Sequence, residues 1–109
     1  MTIFIAATFD VLPEHAADWP GITASFTQAT RSEPGYLWFE WSRSLERRSE
    51  YVLLEAFRDV DAATEHVQSA HFRTAQQVMT QYLAATPRIV NTMLDQDDWS
   101  ELSELRVER

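Results

Sequence analysis

Three stretches of this 109-residue chain carry large apolar side chains at both even and odd positions, and that pattern limits the possible folds more than any other feature. In residues 36–45, YLWFEWSRSL, Tyr36 and Trp38 share one parity while Leu37, Phe39 and Trp41 share the other. Residues 49–58, SEYVLLEAFR, set Tyr51, Leu53 and Phe57 against Val52, Leu54 and Ala56. Residues 2–12, TIFIAATFDVL, set Ile3, Ile5 and Phe9 against Phe4, Ala6 and Leu12. All three are rich in β-branched and aromatic residues and read as strands. Successive side chains of a strand point to opposite faces, so a sheet with one wet face alternates apolar with polar. These strands do not alternate, and both faces of their sheet must be covered.

The remaining elements say what is available to cover them. Pro13 ends the first strand, and Trp19, Ile22, Phe26 and Ala29 then step by three or four residues along a helical face. Pro20 and Gly21 place the regular start, or a kink, near Asp18, and Glu33-Pro34-Gly35 turns the chain. The short polar link Glu46-Arg47-Arg48 makes strands two and three an antiparallel hairpin. A second helical region begins after an N-cap at Asp59 or Asp61 and runs to about Ala85, with a possible break at Ser69 that would cap its second half. Thr86-Pro87 stops it, and residues 88–94 form a fourth strand. The order β-α-β-β-α-β predicts an α+β, ferredoxin-like fold in which one antiparallel sheet carries its helices on one face. Residues 1–95 make the domain. In the acidic tail, residues 96–109, Trp99, Leu102 and Leu105 are spaced for a short docking helix. The tail is too short to cover the second face, so a homodimer packed sheet against sheet is expected.

Composition removes several classes of function. A formal charge of −8, with nine basic residues that are all Arg, disfavours nucleic acid and anionic membranes as partners. Cysteine is absent, which excludes disulfides, thiolate metal sites and thiol nucleophiles. No apolar run approaches the ~20 residues of a membrane span, and the N-terminus lacks the pattern of a signal peptide, so a cytoplasmic location is expected. With glycine only at Gly21 and Gly35, no phosphate-cradling or flavin fingerprint exists.

The candidate chemistry rests on few residues. His15 reads as a surface residue, whereas His66 and His71 are five apart, a poor spacing for shared ligation on one straight helix. A break at Ser69 would bring both to one pocket edge. Each reads either as a structural, hydrogen-bonded ring or, for His71 first, as a general base near neutral pH. Glu55 lies among Leu53, Leu54, Ala56 and Phe57; if buried it needs Arg31, Arg88 or a histidine as partner. It reads as an ion-pairing residue within or between subunits, or as a catalytic one, and Glu40 shares that ambiguity. Tyr36, Trp38 and Phe39, facing Phe72 and Met79, suit a core or a pocket for a planar ligand equally well.

Glu33-Pro34-Gly35-Tyr36, then Val52-Leu53-Leu54-Glu55-Ala56-Phe57-Arg58-Asp59, Ala62-Ala63, His66 and Ser69-Ala70-His71-Phe72 together resemble the antibiotic biosynthesis monooxygenase family, in its quinol monooxygenase branch. The resemblance implies a dimeric α/β barrel that oxidises a quinol, anthrol or similar polyphenol, with O2 as co-substrate and no metal, flavin or other cofactor. It implies His71, His66 and Tyr36 in proton transfer and Trp38, Phe57, Phe72 and Met79 around a small aromatic substrate. Glu55 would orient a histidine or lock the subunits. The chain lacks an Asn on strand one and has His66 where haem-degrading relatives have an aromatic, so haem is not implied. The phosphate site of the isomerase relatives has only the scattered Arg31, Arg43 and Arg88 as candidates. A non-catalytic ligand-binding or accessory dimer, or an isomerase, stands as the alternative.

Overall fold

The computed structural model describes residues 1–109. Strand β1 (Thr2–Asp10) is followed by a 3-10 turn (Pro13–Asp18), helix α1 (Trp19–Arg31), and strands β2 (Tyr36–Arg43) and β3 (Glu50–Phe57). Helices α2 (Val60–Gln68) and α3 (Ala70–Met79) come next, then β4 (Arg88–Leu94). The four strands form one antiparallel sheet in the order β2-β3-β1-β4. The chain therefore has the expected α+β, ferredoxin-like architecture.

Local chemistry explains the helix ends. Proline at the second position of α1 costs no hydrogen bond there, because first-turn N–H groups lack partners inside the helix. Asp59, rather than Asp61, caps α2 by accepting from the Ala62 N–H at 2.8 Å. Ser69 does break the second helical region: its extended backbone ends α2, and its hydroxyl accepts from the Phe72 N–H at 3.1 Å to cap α3. The region ends earlier than expected, at Met79 with a 3-10 turn over Thr80–Tyr82. β1 also ends early, Val11 making only an isolated bridge to Leu83.

The core lies between the sheet and the helices. Trp19, Phe39 and Phe57 are fully buried there, each contributing on the order of 1.5–3 kcal/mol by leaving water. The Tyr51 hydroxyl donates to the Ala16 carbonyl at 2.8 Å, tying the first 3-10 turn to β3. Trp41 Nε1 donates to Thr27 at 3.0 Å, pinning α1 to β2.

Strand β2 departs from simple alternation. The register slips between Tyr36 and Trp38, so Tyr36 pairs with Phe57 and Trp38 with Ala56. Opposed residues share a face, which puts Tyr36 on the helix-covered side and Trp38 on the other. Trp38 thus does not line a pocket under the helices. Its ring meets Phe4 edge-on at 5.8 Å on the open face, where Leu54 and Val90 also lie. No docking helix forms in the tail. Residues Ser103–Leu105 make one 3-10 turn, Leu102 and Leu105 are exposed, and the Trp99 ring lies 5.4 Å from Trp38 of the sheet.

Candidate active site

Two of the recesses in the molecule bear on its chemistry. The larger of these two, about 510 Å3, is polar and edged by Arg47, Arg48 and Arg88 with Asp10 and Glu50. Arg47 there is already paired with Glu50 at 2.8 Å. Sequence reading picks out Arg88 but not its two companions; of its other candidates, Arg31 is spent on the Phe39 carbonyl at 2.7 Å and on Glu40 at 3.1 Å, and Arg43 on the Arg48 carbonyl at 2.6 Å.

The smaller recess, about 330 Å3, lies between the sheet and the helices. Ile5, Phe9, Leu53, Phe72 and Met79 are among the apolar side chains that wall it, and Glu55 and His66 are the only titratable residues in that wall. An apolar cavity with a few convergent polar groups is the usual form of a small-molecule site.

The polar corner is assembled where three pieces of regular structure end or restart. The first is the turn after α1, which carries Glu33. It can approach α2 only because residue 35 is glycine, since a Cβ there would come within 2.2 Å of the Ala62 Cβ. The second is the last turn of α2, where His66 is held among Phe57 (4.8 Å between ring centres), Phe72 (5.2 Å) and Phe26 (5.6 Å). The third is the break at Ser69. On one straight helix, residues five apart point about 140° away from each other, but restarting the helix at Ala70 turns His71 back toward Glu33.

Glu33 Oε2 then lies 2.8 Å from His66 Nδ1 and 2.5 Å from His71 Nε2. A carboxylate oxygen accepts, so each ring donates from that nitrogen. His66 consequently carries its proton on Nδ1 and presents the free lone pair of Nε2 toward Glu55, whose Oε1 is 3.6 Å away. That distance is too long for a hydrogen bond but short enough for charge to be felt. Burial, and then the charge of Glu33, push the Glu55 carboxyl up to about 7. Burial pulls His66 below the usual histidine range, against the opposing pull of Glu33. A buried carboxyl that keeps its proton near neutrality beside a buried neutral imidazole is an arrangement able to exchange protons with a bound hydroxyl. The donor atoms of Glu33, His66 and His71 all lie within 4.8 Å of one another.

The sequence candidates divide accordingly. His66, Glu55, Phe72 and Met79 line the cavity. Phe57 is fully buried behind His66, and Tyr36 packs against the core cluster. His71 does not line the cavity; it stands behind His66, with its side chain 27% exposed. Glu33, which joins the two histidines, has no role in the sequence reading beyond its turn. The partner open to Glu55 among Arg31, Arg88 and the histidines proves to be His66.

Comparison with known proteins agrees with this architecture. The family described as antibiotic biosynthesis monooxygenase matches residues 2–78. Among solved structures, Rv0793 from Mycobacterium tuberculosis superposes with a TM-score of 0.80 at 21% identity, covering 90% of this chain and 100% of its own. A Caulobacter crescentus protein described only provisionally as an antibiotic biosynthesis monooxygenase gives 0.79 at 26% identity, with 91% of each chain covered. A conserved protein from Methanosarcina mazei gives 0.79 at 22%, covering 84% of this chain and 91% of its own. No curated protein is detectably similar in sequence. With the matched segment running from the first strand through both histidines and into α3, the chain belongs to the antibiotic biosynthesis monooxygenase family.

Proposed function

We propose that the protein is a cofactor-independent monooxygenase that oxidises a quinol, anthrol or related polyphenol with O2 in the apolar cavity. The observation that carries this reading is the pairing of a 330 Å3 apolar cavity with only two titratable wall residues, Glu55 and His66. A phenolic hydroxyl placed at that corner gives its proton to His66 Nε2. Glu33 holds the ring in the tautomer that can accept it, in the way an acid orients the histidine of a catalytic triad. The electron-rich anion left behind is the reductant of O2; one oxygen atom enters the product and the other leaves as water. Apolar walls exclude bulk water and so protect the anion and strengthen its contacts with the polar corner. His71 holds Glu33 from the far side, which makes it a positioning residue.

A homodimer is part of the proposal. Phe4, Trp38, Leu54 and Val90 form an apolar open face, where the edge strand β4 leaves Val90 69% exposed. A second copy packed against that face buries what the tail leaves bare. Light scattering at micromolar concentration tests it; a dimeric mass is expected, and a monomeric mass refutes it.

The catalytic reading is tested by oxygen uptake with hydroquinones, naphthohydroquinones and anthrols, corrected for autoxidation. Wild type is expected to turn over, His66→Gln to bind substrate without turnover, and His71→Ala to lose kcat while keeping KM. Undiminished turnover in His66→Gln refutes the assignment of the base.

A further inference from the structure

Glu55 is buried and Glu33 largely so, their side chains only 11% and 14% exposed, and no arginine pairs with either of them. The arginines nearest in the fold are committed elsewhere: Arg31 to Phe39 and Glu40, Arg58 to Asp59, Arg73 to the Gln68 carbonyl. Lysine is absent from the chain. Buried carboxylates need a positive partner or a proton, and here only two imidazoles stand beside them. Those imidazoles meet one carboxylate oxygen at a single point, since Glu33 Oε2, His66 Nδ1 and His71 Nε2 lie within 4.8 Å of one another. Two imidazole nitrogens and a carboxylate oxygen are a recurring donor set for zinc and its first-row neighbours.

We propose that Glu33, His66 and His71 form a binding site for one divalent transition-metal ion of the zinc class. Bonds of about 2.0–2.1 Å in a tetrahedral arrangement ask for donors about 3.3 Å apart. Shifts of about an ångström in the Glu33 and His71 side chains therefore admit the ion, with Glu33 Oε2 moving out from between the rings. Each ring stays neutral and changes tautomer: the His66 proton passes from Nδ1 to Nε2, and the His71 proton from Nε2 to Nδ1. His66 Nε2–H then faces Glu55 Oε1, now 3.6 Å away, which supplies the carboxylate–histidine–metal arrangement that steadies many such sites. The partly exposed His71 edge gives the ion and a completing water their way in. On the reading of His66 as proton acceptor, this ion is an inhibitor, because it leaves Nε2 protonated.

The test uses the metal alone and no substrate, so it stands or falls apart from the catalytic reading. Chelator-stripped protein is titrated with Co2+, followed by its visible bands, and with Zn2+ by calorimetry. One ion per chain at micromolar concentration is expected. Glu33→Gln and His71→Ala should each weaken binding by at least about tenfold, Glu55→Gln by about tenfold as the outer partner of His66, and His15→Ala not at all. In the unmutated protein, histidine-selective 15N NMR should show Zn2+ moving the His66 and His71 ring signals and leaving His15 in place. No stoichiometric binding, or binding that survives both Glu33→Gln and His71→Ala, overturns the proposal, as does Zn2+ that leaves the His66 and His71 signals unmoved.

Discussion

The two faces of the sheet are built from equally apolar strands and meet opposite fates. On the covered face, Phe39, Leu53 and Phe57 are 2% exposed or less beneath three helices, and the interior keeps a cavity whose only titratable wall groups are Glu55 and His66. On the open face, Phe4, Trp38 and Leu54 are half-buried by their neighbours, Val90 is 69% exposed, and the one visitor is Trp99, itself 70% exposed. Apolar side chains alone do not make a site. What distinguishes the covered face is that the turn after α1 and the break between α2 and α3 bring three polar side chains together beside it. The open face has the hydrophobicity of a core and no such convergence of polar groups, which suits the proposed dimer contact.

Substitutions on each face should separate these roles. The largest effect is expected at His66, where Gln should lower kcat/KM by about 10^2 to 10^4, the range for loss of a general base, while the dimer persists; steady-state oxygen uptake beside light scattering checks both. Next is Gly35→Ala, whose methyl would overlap Ala62 at 2.2 Å and force the Glu33 turn away from α2. A loss of about 1–3 kcal/mol is expected from such overpacking, read by urea unfolding, with the Glu33–His66 hydrogen bond lost by NMR. On the open face, Leu54→Asp should dissociate the proposed dimer while leaving His66 and Glu55 in place, so sedimentation should report monomers whose histidine resonances are unchanged. The smallest effect belongs to the tail. Trp99→Ala removes one exposed aromatic contact and should cost less than about 1 kcal/mol, and Leu102→Ser with Leu105→Ser should stay within about 0.5 kcal/mol, both by thermal unfolding.

The sequence makes the covered face legible where local chemistry decides structure. Asp59 and Ser69 announce helix starts through their side chains, Thr86-Pro87 sets the start of β4 at Arg88, and the shared apolar parities foretell a sheet that is apolar on both faces. What depends on tertiary contact is not legible. The register slip beside Leu37 sends Trp38 to the open face, although parity puts it with Tyr36; no residue nearby signals a bulge. Glu33 reads as turn punctuation, because only the approach of the turn to Ala62 aims its carboxylate at His66. His71 is recognisable as a partner of His66 once Ser69 breaks the helix. Which of the two rings meets the cavity is decided by packing against Phe57 and Phe72, beyond the reach of periodicity.

The central claim is that His66, oriented by Glu33, takes a proton from a phenolic substrate in the covered cavity. Its most direct test is oxygen uptake by metal-free, flavin-free protein over a panel of hydroquinones and anthrols, run side by side for wild type and His66→Gln. The account predicts uptake proportional to wild-type protein, with formation of the oxidised product, and none above autoxidation in the variant. Equal uptake by both proteins, or none by either, would contradict it.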